Sequence, residues 1–297
     1  FWAHTELDES VKRYADLVEE FFDEVPKETF STLHYLPSPP RDFTGRGAEL
    51  DQLFDKIQSG VTILGLHGMG GVGKTVIALK LAERIKDQYP DAQFFLDLKG
   101  LSDQWVTSTQ AMKYVIHAFH RGVKLPESED ELLPIYFSVL DGKRVLIVWD
   151  NIRDVTQIAK LIPPPSCLMI VTSRERFVLP GGHSIAVNAL SSKEANKLLL
   201  TISPRIGESV SPLADLCGYL PLALRLTASL LAIRSYLRLA DYLHSLEDEK
   251  NRLARIDRYA PTDGVEVALS LSYRLLLPEL QQRWRMLAAF PATFDTS

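Results

Sequence analysis

Gly68-Met69-Gly70-Gly71-Val72-Gly73-Lys74-Thr75 decides how this chain is read. The stretch fits the pattern G-x-x-x-x-G-K-[ST]. It follows a β-branched run at 61–66 and precedes an apolar pattern with Ile77, Leu81 and Ile85 on one face. Strand, glycine-rich loop and helix in that order make a phosphate cradle. The glycines let the backbone curl with its N–H groups turned inward around an anion. The helix that begins near Lys74 presents the positive end of its dipole to the same point. Lys74 adds a mobile charge for the β- and γ-phosphates, and the Thr75 hydroxyl is a ligand for Mg²⁺. The expected phosphate contacts are Gly68, Met69, Gly70, Gly71, Val72, Gly73, Lys74, Thr75 and Val76.

A loop of this kind needs a second acidic partner. Val145-Leu146-Ile147-Val148-Trp149-Asp150 is an apolar strand ending in a carboxylate, the Walker B pattern. Asp150 is placed to hold Mg²⁺ with Thr75, directly or through water. A later strand ends Thr172-Ser173-Arg174. In a doubly wound sheet ligands bind beyond the carboxyl ends of the strands, so Arg174 is a sensor for the γ-phosphate, with Arg176 the weaker candidate. Lys74, Asp150 and Arg174 form the expected catalytic set. Residue 151 is an asparagine. Asparagine orients water but does not take its proton at neutral pH. Hydrolysis is therefore expected to be slow, unless a carboxylate such as Asp154 or Glu175 supplies the base.

The rest of the chain gives this loop a setting. Strands are expected at 61–66, 93–98, 144–149, 168–172 and 184–187, with helices at 48–59, 76–86 and 108–121. Near-continuous apolar strands alternating with helices imply a parallel sheet covered on both faces. The expected fold is α/β: a P-loop NTPase with a five-stranded sheet of the additional-strand type, in the order 2-3-1-4-5. From Ala189 the strand signal ends, and helices are expected at 192–202, 209–217, 221–233, 237–246, 265–277 and 278–290. Ser191 and Ser192 before Glu194 read as a capped helix start.

At the front, Leu7, Val11, Tyr14, Val18, Phe21, Phe22 and Val25 form an apolar stripe opposite an acidic face. It reads either as the tail of an upstream region or as a surface helix folded back. Leu36-Pro37-Ser38-Pro39-Pro40 is an extended linker. The expected division is an acidic arm at 1–35, a linker at 36–41, the nucleotide-binding domain at 42–188, a helical domain at 189–260 and the start of a winged helix at 261–297.

Composition narrows the function classes. The 297 residues are 46% hydrophobic and 24% charged, as in an ordinary globular protein. There are 33 basic and 38 acidic residues and a net charge of -5, which gives no electrostatic reason to bind a nucleic-acid backbone. Two cysteines, Cys167 and Cys217, cannot make a disulfide framework or a thiolate zinc site and fit a reducing cytoplasm. No apolar run nears the roughly 20 residues of a membrane span. The chain opens Phe1-Trp2-Ala3 and reads as an excised fragment.

Together with the loop, the Walker B strand and Thr172-Ser173-Arg174, two further motifs carry a family resemblance: Phe43-Thr44-Gly45-Arg46 and Gly218-Tyr219-Leu220-Pro221-Leu222-Ala223-Leu224. The ordered set resembles the NB-ARC module of the STAND class of signal-transduction ATPases, in a bacterial version. The resemblance implies ADP or ATP as the nucleotide. It places Thr44 and Arg46 on one side of the adenine, and Pro221 with Leu222 near the adenine and ribose. Asn151 departs from the family's usual second aspartate, and Ser173 from its usual threonine. The family's MHD-type histidine would lie beyond residue 297.

The function so implied is a nucleotide-dependent molecular switch. ADP holds a closed resting state, and exchange for ATP drives opening and self-association. An upstream effector and a downstream repeat sensor are implied partners, membrane is not, and nucleic acid is disfavoured. Two alternatives stay open: an actively hydrolysing P-loop ATPase motor, and a DNA-binding regulator that uses the winged helix.

Overall fold

The computed structural model describes residues 33–102, 104–256, 264–274, 276 and 278–287. The amphipathic arm up to residue 32 and the ends of the expected winged helix lie outside these residues. The chain divides into two compact units. Unit 1 comprises Phe1–Pro39, Ala48–Gly68 and Lys74–Ala186; unit 2 comprises Pro40–Gly47, Met69–Gly73 and Val187–Ser297.

Unit 1 is a parallel sheet with helices on it. Its strands are β1 (Leu33–His34), β2 (Ile63–His67), β3 (Ala92–Asp97), β4 (Val145–Ile152), β5 (Leu168–Ser173) and β6 (His183–Ala186). Its helices are α1 (Gly47–Gln58), α2 (Lys74–Ile85), α3 (Ser108–Phe119) and α4 (Glu129–Leu140). Side chains alternate across the pleat. Val145, Ile147 and Trp149 therefore join Met169 and Val171 in a buried core with α3 and α4. Leu146, Val148 and Asp150 face the other way, and α2 packs on β4 and β5. Parity alone thus brings the carboxylate of Asp150 to the face that carries α2.

The five parallel strands and their helical cover are as expected; their order differs. The sheet runs β1-β3-β4-β5-β2-β6. Counting only the five expected strands, that is 2-3-4-1-5, not 2-3-1-4-5. The strand inserted between the P-loop and Walker B strands is β5. Its short connection from β4 contains only two 3-10 turns, 155–157 and 159–161, so consecutive strands pair directly. β5 then pairs with β2 on its other side. Two elements were not foreseen. Leu33 and His34, expected at the end of the arm, pair with Ala92 and Gln93 as an edge strand. Helix α4 carries Pro134 inside it, a residue that reads as a helix breaker.

Unit 2 is helical: α5 (Ser192–Ile202), α6 (Val210–Leu216), α7 (Pro221–Ile233), α8 (Leu239–Ile256), α9 (Gly264–Arg274) and α10 (Pro278–Leu287). Ser191 caps α5 in a full capping box with Glu194. Gly218 and Tyr219 both adopt left-handed backbone after α6, and Pro221 opens α7. Helix α8 runs ten residues past its expected end at 246. Glu249, in that extension, is buried and paired with Arg252 and with Arg274 of α9. No helix among the described residues is long and apolar enough to cross a membrane.

Candidate functional site

The phosphate loop belongs to both units. Gly68, Lys74 and Thr75 belong to unit 1, and Met69–Gly73 to unit 2. Within unit 1, the Thr75 hydroxyl donates to both carboxylate oxygens of Asp150, at 2.8 and 3.0 Å. Thr172, at the tip of β5, donates to Asp150 Oδ1 at 2.6 Å. Two hydroxyls and one buried carboxylate thus converge at the start of α2, a donor set of hard oxygens that fits Mg²⁺. Burial pushes the Asp150 carboxyl above its usual range, against the Thr172 and Thr75 hydrogen bonds; nearby Asp97 raises it further, and Lys74 lowers it. The Lys74 ammonium donates to the carbonyl of Gly68 at 2.8 Å. Its pKa is lowered, first by burial and then by the positive charge of Arg174, while Asp150 acts the other way. Arg174 is exposed just beyond β5, near enough to act on Lys74.

Asn151 follows Asp150 with φ 56, a left-handed conformation that asparagine tolerates better than most residues. Its backbone N–H donates to the Thr172 hydroxyl at 2.8 Å and its side-chain amide to Asp97 Oδ1 at 3.3 Å. Of the two alternative bases, Asp154 caps the turn at 155–157 through Thr156 and Gln157. Glu175 is exposed beyond β5. His67, just before the loop, sits with Nδ1 3.1 Å from the Ser184 hydroxyl, and burial with Arg176 holds its pKa down.

Within unit 2, Arg46 has left-handed backbone (φ 67) and is 4% exposed. Its guanidinium donates to the carbonyls of Val72 at 3.1 Å and Asn188 at 2.6 Å. Its N–H donates to Glu194 Oε1 at 3.0 Å, so the carboxylate of the α5 capping box also holds this turn. Thr44 donates to the carbonyl of Asp42 at 3.0 Å, and Asp42 pairs with Arg225 of α7 at 2.7 Å. Leu222 N–H donates to the carbonyl of Gly71 at 3.2 Å. Gly71 must be glycine: its φ is +75, and a Cβ there would stand 2.8 Å from Val265 Cγ2 and 3.2 Å from Leu222 Cβ. A Cβ on Gly73 would lie 3.8 Å from Pro221. Val72 is fully buried, whereas Met69 is 49% exposed.

The structure therefore joins Lys74, Thr75 and Asp150 in one unit, and Arg46, Val72, Gly71, Pro221 and Leu222 in the other. In the sequence Thr172 stands only as part of a motif, and Asp97 belongs to none. A signal for Asp97 was present: Phe94-Phe95-Leu96-Asp97 and Ile147-Val148-Trp149-Asp150 are two apolar runs that both end in aspartate.

Residues 46–204 match the model of the NB-ARC domain. The chain is 33% identical over 264 residues to Regulatory protein AfsR of Streptomyces griseus, covering 85% of this chain and 27% of that protein. It is 30% identical over 224 residues to Disease resistance protein UNI of Arabidopsis thaliana, covering 68% of this chain and 25% of that protein. The chain thus spans about a quarter of the length of these relatives. A STAND protein with a tetratricopeptide repeat sensor from Pyrococcus horikoshii shares the fold, with a TM-score of 0.54 at 16% identity over 88% of this chain and 37% of that one. The chain belongs to the NB-ARC domain family.

Proposed function

We propose that this chain is a nucleotide-dependent switch. ADP with Mg²⁺ holds a closed resting state, and exchange for ATP drives opening and self-association in the cytoplasm. One observation carries the reading. The ends of the phosphate loop pack with the unit that holds Lys74, Thr75 and Asp150, while its middle packs with the helical unit. Any shift of loop backbone on gaining or losing a γ-phosphate is thereby felt at Gly71, Val72 and Gly73. Those residues meet Leu222, Arg46 and Pro221 inside unit 2. A ligand shifts an equilibrium only through contacts that differ between states, and this loop offers such contacts.

In this reading Lys74 and the loop amides hold the phosphates, Thr75 and Asp150 hold Mg²⁺, and Arg174 senses the γ-phosphate. Thr44 and Arg46 lie on one side of the adenine, where Arg46 also braces the loop through Val72, and Pro221 with Leu222 lies near the adenine and ribose. The reading includes an effector before this module and a repeat sensor after it; the greater length of the relatives leaves room for both. The test is to denature the purified chain and separate what it releases by chromatography. ADP is expected, together with loss of binding in Lys74→Ala. Protein free of adenine, with wild-type affinity in Lys74→Ala, would remove the assignment.

A further inference from the structure

Position 151 lacks the carboxylate that would activate water, yet the sheet places another one beside it. Asp97 ends β3 in direct register with Asp150 of β4. Paired residues on neighbouring strands share a face, so Asp97 lies on the face where Asp150 meets Thr75. Its Oδ1 accepts the side-chain amide of Asn151 at 3.3 Å and the N–H of Lys99 at 2.8 Å. Among the described residues its Oδ2 has no hydrogen-bond partner, and the residue is exposed.

The backbone around it is locked rather than loose. Leu98 N–H donates to the carbonyl of Asp150, and Gly100 N–H to that of Asn151, both at 2.8 Å. A Cβ on Gly100 would stand 2.4 Å from the Arg153 nitrogen and 2.5 Å from the Asn151 oxygen, so the chain after β3 is pressed onto the end of β4. Lys99 and Asn151 both hold left-handed backbone, φ 52 and 56, on the two sides of this contact. Such conformations persist where surrounding structure imposes them, and they cluster at functional sites.

We propose that Asp97 supplies the carboxylate that position 151 lacks, with Asn151 as its partner in orienting the attacking water. The acid and the amide have exchanged strands: β3 carries the acid and β4 the amide. This rests on the reading of the chain as a nucleotide-binding ATPase module. Asp97 accepts a hydrogen bond from the water and takes its proton as the water oxygen bonds to the γ-phosphorus. The bond from that phosphorus to the bridging oxygen breaks, ADP keeps the electron pair, and the proton passes to the released phosphate. Asp154 Oδ1 instead caps the 155–157 turn, and Asp154 has no hydrogen bond to Asn151 among the described residues.

The experiment uses the purified chain with Mg-ATP and four proteins: wild type, Lys74→Ala, Asp97→Asn and Asp97→Asn/Asn151→Asp. It reads the affinity for a fluorescent ATP analogue, single-turnover hydrolysis and the melting temperature. General-base catalysis is typically worth about 10²–10⁴-fold. Asp97→Asn is therefore expected to slow hydrolysis by at least about tenfold, while affinity and melting temperature stay near wild type. The double variant returns the carboxylate to β4 and is expected to recover much of the lost rate, which a merely structural role would not allow. Wild type that binds ATP but leaves it intact, Asp97→Asn that hydrolyses at the wild-type rate, or a loss without recovery in the double variant would each overturn the assignment. Wild type that does not bind ATP, or binds it no better than Lys74→Ala, would instead overturn the phosphate-loop reading beneath it.

Discussion

Arg46 gives the sharpest stability test, because its side chain is buried and its partners are backbone. In Arg46→Ala two hydrogen bonds from a charged donor disappear, to Val72 and Asn188. Hydrogen bonds to charged groups are worth about 1.5–3 kcal/mol each, and they do not add in full. The left-handed backbone cost stays, because alanine suffers it as arginine does. The expected loss is about 3–5 kcal/mol, or a melting point lower by roughly 10–20 °C if unit 2 unfolds cooperatively. Arg46→Lys keeps one donor position and should fall between. Arg46→Gly should regain about 1 kcal/mol over the alanine variant, because glycine accepts positive φ without strain. Circular dichroism melts read the stability, and a fluorescent ADP analogue reads the loop. Affinity for the analogue should fall at least about tenfold, since Val72 loses its support. A melting point within 2 °C of wild type, by about the error of such melts, together with unchanged ADP affinity, would refute the strut described for Arg46.

Two further outcomes follow from other sites. The Glu249 carboxyl is held down to about 2, first by its hydrogen bond to Arg252 and then by Ser270 and Arg274. A depressed carboxylate stabilises the fold above its unfolded pKa and ceases to do so as pH falls through the folded value. Glu249→Gln should therefore cost about 3 kcal/mol near pH 7, with the gap closing between about pH 4.5 and pH 2. Urea unfolding at several pH values checks this, and a gap independent of pH would contradict it. Gly65→Ala puts a Cβ 2.8 Å from both Phe177 Cζ and Ser184 Oγ. Overpacking of this kind should destabilise unit 1 by about 1–3 kcal/mol in the same assay, whereas a neutral result would mean that the ring at 177 moves freely aside.

Much of the fold was legible because its signals are local. The loop, the apolar strands and the Ser191 cap each announce themselves within a few residues. Strand order did not, since it depends on how β4 connects to β5. The two 3-10 turns in that connection carry no strong periodic signal. The full length of helix α8 is not local either, since Glu249 is buried by partners on α8 and on α9. In the site, Lys74, Thr75 and Asp150 follow from spacing alone. The neighbourhood of Asp97 does not, because it arises from cross-strand register between residues far apart in sequence. Nor does the buried role of Arg46, whose acceptors are backbone carbonyls that no motif names.

The central claim is that the nucleotide acts on the helical unit through the phosphate loop. Amide hydrogen exchange at 69–73 and in the first turn of α7 tests it most directly, with the chain loaded first with Mg-ADP and then with a non-hydrolysable ATP analogue. The account predicts a change in protection at both segments on exchange of nucleotide, and none in Lys74→Ala. Two nucleotides that both bind and leave the loop and the start of α7 equally protected would contradict it.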